Sequence, residues 1–230
     1  VKTTLALRDK FGISSFIETG CYRGLNVHFW GHYFHLVIGV EKSAEFAEVT
    51  AKRVVHQGNV QIIRQDSPTY LAWYADLYRT WAHHLDLPPV SLFYLDAHFY
   101  DPDCNPDHRW VVRDELQSLQ DFPNCIIEIH DYDCGGLGHL VYDGEALNMD
   151  LIREDLLGVN PDFHFYGNTR AGCEVHTLES IVGIAGLVAD DDTLETLAYH
   201  NSDRLKYRGI LYATPKPLDL TLFPLQEIAI

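Results

Sequence analysis

Short apolar runs alternate with amphipathic stretches over the first 131 residues, and this alternation predicts β–α–β units building a parallel sheet. Lys2–Phe11 reads as a helix with Leu5, Leu7 and Phe11 among its apolar positions. Ser15–Glu18 is a short first strand that breaks at Thr19-Gly20, and a helix follows over Asn26–His32. Leu36–Val40 is a second strand ending in Glu41. Ser43 is a fitting N-cap for a helix through His56, whose Phe46, Ala47, Thr50, Ala51, Val54 and Val55 form one stripe. Val60–Ile63 is a third strand reaching Asp66, and Ser67-Pro68 opens an aromatic-rich helix to about His84. Within it Tyr70, Tyr74, Leu77, Tyr78 and Trp81 lie at helical spacing, as core or interface packing requires. Val90–Leu95 is a fourth strand ending at Asp96, and an irregular loop over Phe99–Asp107 precedes a helix of about Arg109–Gln120. Cys125–Ile129 is a fifth strand ending at His130-Asp131.

The remainder is less regular. Phe163–Tyr166 and Gly209–Ala213 read as two further strands, separated by a stretch that carries Asp190-Asp191-Asp192. The expected fold is therefore α/β: a doubly wound, mostly parallel seven-stranded sheet. No repeat and no linker divides the chain, so one domain over 1–230 is expected, with its core at about 14–133 and an insertion at about 168–208.

Composition narrows the function classes. Seventeen Lys+Arg against 33 Asp+Glu give a net charge of −16. Such a surface repels phosphate backbones, so nucleic acid is not an expected partner. No run approaches the roughly 18 apolar residues of a membrane span. The five cysteines, Cys21, Cys104, Cys125, Cys134 and Cys173, are odd in number and form no Cys-x-x-Cys pair. They read as reduced thiols, which points to the cytoplasm and away from a structural zinc site.

In a doubly wound sheet, ligands sit at the carboxyl ends of the strands near the switch point. Every one of the five strands ends in an acid: Glu18, Glu41, Asp66, Asp96 and Asp131. The first strand runs into Glu18-Thr19-Gly20-Cys21-Tyr22-Arg23-Gly24, where glycines let backbone pass close to a ligand. Glu41, at the next strand end, stands where an acid accepts hydrogen bonds from ribose hydroxyls. That spacing fits a dinucleotide as well as S-adenosylmethionine (SAM). The Gly-x-Gly-x-x-Gly layout that seats a pyrophosphate is absent, and Glu18 suits the ammonium of SAM better than a phosphate.

Six segments occur in order: Phe16-Ile17-Glu18-Thr19-Gly20, Gly39-Val40-Glu41-Lys42-Ser43, Arg64-Gln65-Asp66-Ser67, Phe93-Tyr94-Leu95-Asp96-Ala97-His98, Asp114-Glu115-Leu116 and Ile129-His130-Asp131. Over about residues 14–133 the chain resembles class I SAM-dependent methyltransferases with E-T-G, G-D-S, L-D-A-H, E-L and I-D-D signatures. The resemblance implies a Rossmann-like fold and a cofactor set of Glu18, Thr19, Gly20, Tyr22, Gly24, Glu41, Lys42, Asp66, Ser67 and Asp96. In it Glu18 and Gly20 flank the methionine part, Glu41 the ribose, and Asp66 with Ser67 the adenine. The chain departs from the pattern at His130, where an acid is usual, and in the long loop with Cys104 and His108.

Asp96, His98, His130 and Asp131 form a second constellation. It is similar to the site of metal-dependent small-molecule O-methyltransferases, where acids at these strand ends hold magnesium. That similarity implies a divalent metal (Mg, Mn or another transition metal) on Asp96, His130 and Asp131, which would lower the pKa of an acceptor hydroxyl. Two other readings stay open: a metal-free base (His98, His130 or Asp131), and structural polar groups. Glu128, inside the fifth strand, needs a partner if buried. The other histidines, His28, His32, His35, His83 and His84, read as surface positions. Gly135-Gly136-Leu137-Gly138 reads as a loop over the site. The expected function is SAM-dependent methylation of a small-molecule acceptor, at oxygen, by a cytoplasmic enzyme able to form a homo-oligomer. The rivals are a SAM-cleaving or metal-dependent hydrolytic enzyme on the same fold, and a non-catalytic binding or assembly module.

Overall fold

The structure is a computed structural model that describes residues 2–82, 90–97, 110–170 and 208–229. His83-His84, the Phe99–Asp107 loop with Cys104, the neighbouring His98 and His108, Cys173, and all but the ends of the 168–208 insertion lie outside the described residues.

In chain order the elements are α1 (Lys2–Phe11), β1 (Ser15–Thr19), α2 (Leu25–Trp30), β2 (Leu36–Glu41), α3 (Ala44–Arg53), β3 (Val60–Arg64), α4 (Ser67–Ala82) and β4 (Ser91–Leu95). There follow α5 (Val111–Ser118), β5 (Cys125–His130), β6 (Val141–Tyr142), β7 (Glu145–Ala146), α6 (Met149–Val159), β8 (His164–Asn168), β9 (Ile210–Thr214) and β10 (Leu225–Glu227). The main sheet runs β3-β2-β1-β4-β5-β9-β8-β10. The first five strands are mutually parallel, β9 is antiparallel to β5, and β8 and β10 alternate direction after it. The sheet is mostly parallel and helix-flanked, as expected, with eight strands where seven were expected. The eighth, β10, is a three-residue edge strand with one buried residue, Leu225, too short to carry a period-two signal.

The periodicity of the strands sorts two cores. Phe16, Val37, Leu92 and Ile126 point to one face, packed by Leu7 of α1, by Val27, Phe29 and Trp30 of α2, and by Val54 just past α3. Ile17, Ile38, Val40, Phe93, Leu95, Ile127 and Ile129 point to the other, packed by α4, α5 and α6. Parallel strands buried on both faces read as apolar runs, which is why the sequence pattern locates them well. Helix α3 begins where expected: the Ser43 side chain accepts from the Phe46 N–H at 3.4 Å.

Four elements had no sequence expectation: β6 and β7, which pair as a hairpin, α6 and β10. Asn148 caps α6, accepting from the Leu151 N–H at 3.2 Å, and Ile152, Leu156 and Val159 give it a buried stripe. Buried Asp155 on this helix is held by Arg113 Nε at 2.8 Å and Gln117 Nε2 at 3.0 Å, both from α5. No described helix is long and apolar enough to cross a membrane.

The order reverses at β1, with β2 on one side and β4 on the other. The crevice this opens lies at the carboxyl ends of β1 and β4, and the strand-end acids surround it.

Candidate functional site

The loop after β1 has little freedom. Gly20 stands at φ +68°, and a Cβ there would lie 2.5 Å from the Asp96 carbonyl oxygen and 2.6 Å from Ala97 Cα. Only glycine lets this loop pass the end of β4. The Asp96 N–H donates to Thr19 Oγ1 at 3.2 Å, tying the two strand ends together. Tyr22 stands at φ 48°, uncommon for a side chain of its size. Its carbonyl accepts from Thr50 Oγ1 at 2.6 Å, and its exposed ring rests against Phe46 at 4.4 Å. Gly24, at φ +75°, is the N-cap of α2 and packs directly on the Thr50 side chain.

Glu41 is buried, and both carboxylate oxygens accept backbone N–H groups: Oε2 from Tyr22 at 2.9 Å and Oε1 from Ser43 at 2.8 Å. It therefore fastens the first loop to the end of β2. Each oxygen keeps a second lone pair with which to meet ribose hydroxyls. Asp66 and Lys42 form an exposed ion pair at 3.7 Å, and Thr69 Oγ1 donates to Asp66 at 3.2 Å. Ser67 is buried at the first position of α4.

Glu18 is 3% exposed; Asn26 Nδ2 donates to its Oε1 at 3.1 Å, while Oε2 has no hydrogen-bond partner. Burial pushes this carboxyl up to about 8, with nearby Asp96 adding to the shift and the Asn26 bond opposing it. A buried carboxyl with an orphan oxygen beside a glycine loop fits a cationic group of a ligand, and so fits the SAM ammonium. On the same sheet face Glu18, Tyr94 and Glu128 stand in register across β1, β4 and β5. Glu128 has the partner its burial calls for: Thr4 Oγ1 donates to Oε2 at 3.1 Å. Burial still raises Glu128 to about 7.

Glu115 carried no site role in the sequence reading beyond its place in the E-L segment. It is fully buried on α5. The hydroxyls of Ser67 and Thr19 face its carboxyl without closing a well-aligned hydrogen bond, and burial raises it to about 7.

At the ends of β4 and β5, Asp96, His130 and Asp131 converge, with one potential ligand atom from each within 4.8 Å of the others. His130 Nδ1 lies 3.1 Å from Asp96 Oδ1 and 3.2 Å from Asp131 Oδ1. Burial pulls the imidazole down, but Asp96 and Asp131 outweigh it and leave His130 raised to about 9. Arg208, which the sequence reading did not single out, brings Nη1 to 3.0 Å from Asp131 Oδ1. His130 Nδ1 and Asp96 Oδ1 are hydrogen-bonded, whereas the two approaches to Asp131 Oδ1 are charge contacts rather than aligned hydrogen bonds. Spacing thus fits a divalent ion, but the guanidinium of Arg208 already stands against one of the two carboxylates. His98 lies outside the described residues.

The wall beyond is built by the segment after β5. Asp131 stands at φ 61°, the Leu140 N–H donates to its carbonyl at 3.1 Å, and Tyr142 of the hairpin faces its carboxylate. Trp110 anchors the hairpin, with Nε1 donating to Glu145 at 2.9 Å and its ring 4.6 Å from Tyr142.

No family model and no curated protein matches the chain. Among solved structures it is similar to the methyltransferase domain of bacterial CtHen1-C, over 93% of this chain and 95% of that one, with 10% identity and a TM-score of 0.50. It is also similar to the plantazolicin methyltransferase BamL in complex with a triazolic desmethylPZN analog and SAH, at 15% identity, 92% and 82% coverage and a TM-score of 0.47. A third is geranyl diphosphate C-methyltransferase from Streptomyces coelicolor A3(2) with Mg2+, geranyl diphosphate and S-adenosyl-L-homocysteine, at 10% identity, 94% and 77% coverage and a TM-score of 0.43. At such identities the likeness is one of fold. The chain has the mostly parallel, helix-flanked, Rossmann-like sheet found in SAM-dependent methyltransferases.

Proposed function

We propose that the chain is an enzyme that transfers a methyl group from SAM to a small-molecule acceptor, at an acceptor oxygen. The observation that carries this reading is Glu18: a buried carboxyl with an orphan Oε2, beside a loop that only Gly20 allows, with Glu41 at the adjoining strand end. In this reading the chain is one domain over 1–230. Glu18, Thr19, Gly20, Tyr22 and Gly24 take the methionine end, Glu41 and Lys42 the ribose, and Asp66 with Ser67 the adenine.

SAM, when bound, supplies an electrophilic methyl group, so the chain's task is to place the acceptor in line and take its proton. Asp96 borders the transfer centre. At neutral pH His130 already carries its proton, so it acts as the cation between Asp96 and Asp131, and a carboxylate takes the acceptor's proton. His98 is the further base candidate. The net charge of −16 favours a neutral or cationic acceptor over nucleic acid. The reduced thiols fit a cytoplasmic location, and a homo-oligomer is compatible with this reading. A divalent ion on Asp96, His130 and Asp131 is a second reading, favoured by their convergence.

Calorimetry with SAM tests the core of the proposal, followed by mass spectrometry of a panel of hydroxylated acceptors. Saturable SAM binding that Glu18→Gln weakens, with SAM-dependent gain of a methyl mass, is expected. Absence of SAM binding, or NAD bound in its place, overturns the reading. Cleavage of SAM without any acceptor assigns the site to a SAM-cleaving enzyme, and SAM binding without turnover of either kind to a binding module.

A further inference from the structure

We infer that Arg208 supplies, from the protein itself, positive charge that a divalent ion would otherwise supply at the ends of β4 and β5, so that the site works without metal. The inference takes from the proposed function only that this edge is the acceptor end.

Two observations carry it. First, the carboxylates that would ligate an ion are already engaged. Asp131 Oδ1 has Arg208 Nη1 at 3.0 Å and His130 Nδ1 at 3.2 Å, and Asp96 Oδ1 has the same His130 nitrogen at 3.1 Å. Second, Arg208 brings a charge that cannot be released, since a guanidinium stays protonated at any accessible pH, so an ion ligated by Asp131 would meet a fixed cation 3.0 Å from its Oδ1.

Arg208 is placed by backbone, not by chance contact. Its carbonyl accepts from Asn168 Nδ2 at 2.9 Å, and the next residue, Gly209, donates to the Gly138 carbonyl at 2.8 Å. Gly209 in turn accepts from the Tyr132 N–H at 3.1 Å, directly after Asp131. The segment entering β9 is thereby sewn to the segment leaving β5, which sets the guanidinium over Asp131. The side chains of Arg208 and Asp131 are 18% and 10% exposed, so water screens the pair little. Among described residues the other charged or titratable groups near the cluster include Glu18, which senses both Asp96 and His130, Tyr94, whose ring lies 5.8 Å from that of His130 and which senses both carboxylates, Glu115, which senses Asp96, and Tyr142, which senses Asp131. A site of this kind gains nothing from an acceptor that chelates through adjacent hydroxyls.

The test is Mn2+ affinity of the purified full chain, read by calorimetry and by electron paramagnetic resonance, without cofactor or acceptor. Wild-type protein should show no saturable binding tighter than about 1 mM, and Arg208→Met, which removes the charge but keeps the length, should bind at least about tenfold more tightly. Adding Asp131→Asn to Arg208→Met should erase the gain, and Arg208→Lys should exclude the ion as wild type does. Stoichiometric Mn2+ binding by wild-type protein that Asp131→Asn abolishes overturns the inference, as does a folded Arg208→Met protein with no gain. Should Arg208→Met not fold, Arg208→Gln is the second neutral variant, and the wild-type titration decides by itself between an ion site and an ion-free one. Because no SAM is present, failure of the methyl-transfer reading leaves this result intact.

Discussion

Glu41 accepts the backbone N–H of Tyr22 at 2.9 Å, so the acid that ends β2 holds the loop that follows β1. The same carboxylate accepts from Ser43 at 2.8 Å, at the N-cap of α3. One side chain thus fixes the loop and the helix start on either side of the expected ribose position. Glu41→Gln turns an amide NH2 toward one of these two N–H groups and leaves it without an acceptor. A loss of roughly 1–3 kcal/mol in unfolding free energy is expected, since that is the usual cost of stranding a buried polar group. SAM affinity should fall by about tenfold or more in the same variant. Urea denaturation and calorimetry read the two effects; unchanged stability would show that the loop is held by other contacts.

Glu18 predicts a proton linked to cofactor binding. Free protein holds this carboxyl protonated below about pH 8, because burial disfavours its charge. An ammonium docking against it favours the ionised form, so binding expels a proton. SAM affinity should therefore rise with pH, by up to about tenfold per unit between roughly pH 6 and 7.5, and then level as Glu18 ionises unaided and the cofactor's own amine begins to lose its proton. Calorimetry in buffers of different ionisation enthalpy counts the proton directly. Glu18→Gln should flatten the profile. A proton count of zero for wild-type protein at pH 7 removes Glu18 from the ammonium site.

Unliganded protein should lose stability as pH rises from about 5 to 9. Glu18, Glu115 and Glu128 have pKa values raised above the ordinary 4.5, to about 8, 7 and 7. Between those limits the folded chain keeps protons that the unfolded chain has released, so unfolding becomes easier with each step upward in pH. His130 acts in the same direction. Its stabilisation is complete below its ordinary 6.5 and is lost as pH climbs through about 9. The melting temperature should drop by several degrees per pH unit across this window, of the order expected for about 1 kcal/mol or more per unit. Differential scanning calorimetry of wild type and Glu128→Gln checks this, with the variant showing the shallower slope. A melting temperature that holds level or rises from pH 5.5 to 8.5 contradicts the burial argument.

Much of this architecture is local, and what is local is legible. Leu36–Glu41 and Cys125–His130 are apolar runs because each is buried on both faces, and the Ser43 cap announces α3 three residues before its first bonded N–H. The acids at the strand ends could be placed at the crevice edge because strand ends and the switch point follow from element order. Helix α6 carries a local signal in the Asn148 cap and the spacing of Ile152, Leu156 and Val159, set in less regular chain. The three-residue β10 was not readable, since its place is decided by pairing with β8.

By itself, then, the amino-acid order determined the element types, the five-strand parallel core and the set of acids at its edge, because helix and strand periods express burial over neighbouring residues. The tertiary structure alone decided what each acid meets. Glu18 and Glu128 share a face across Tyr94, the hydroxyls of Thr19 and Ser67 face Glu115, and Arg208, just before β9, reaches Asp131. Those relations depend on strand register and on contacts between residues remote in the chain, where burial and opposite charge set the chemistry and no local period records them.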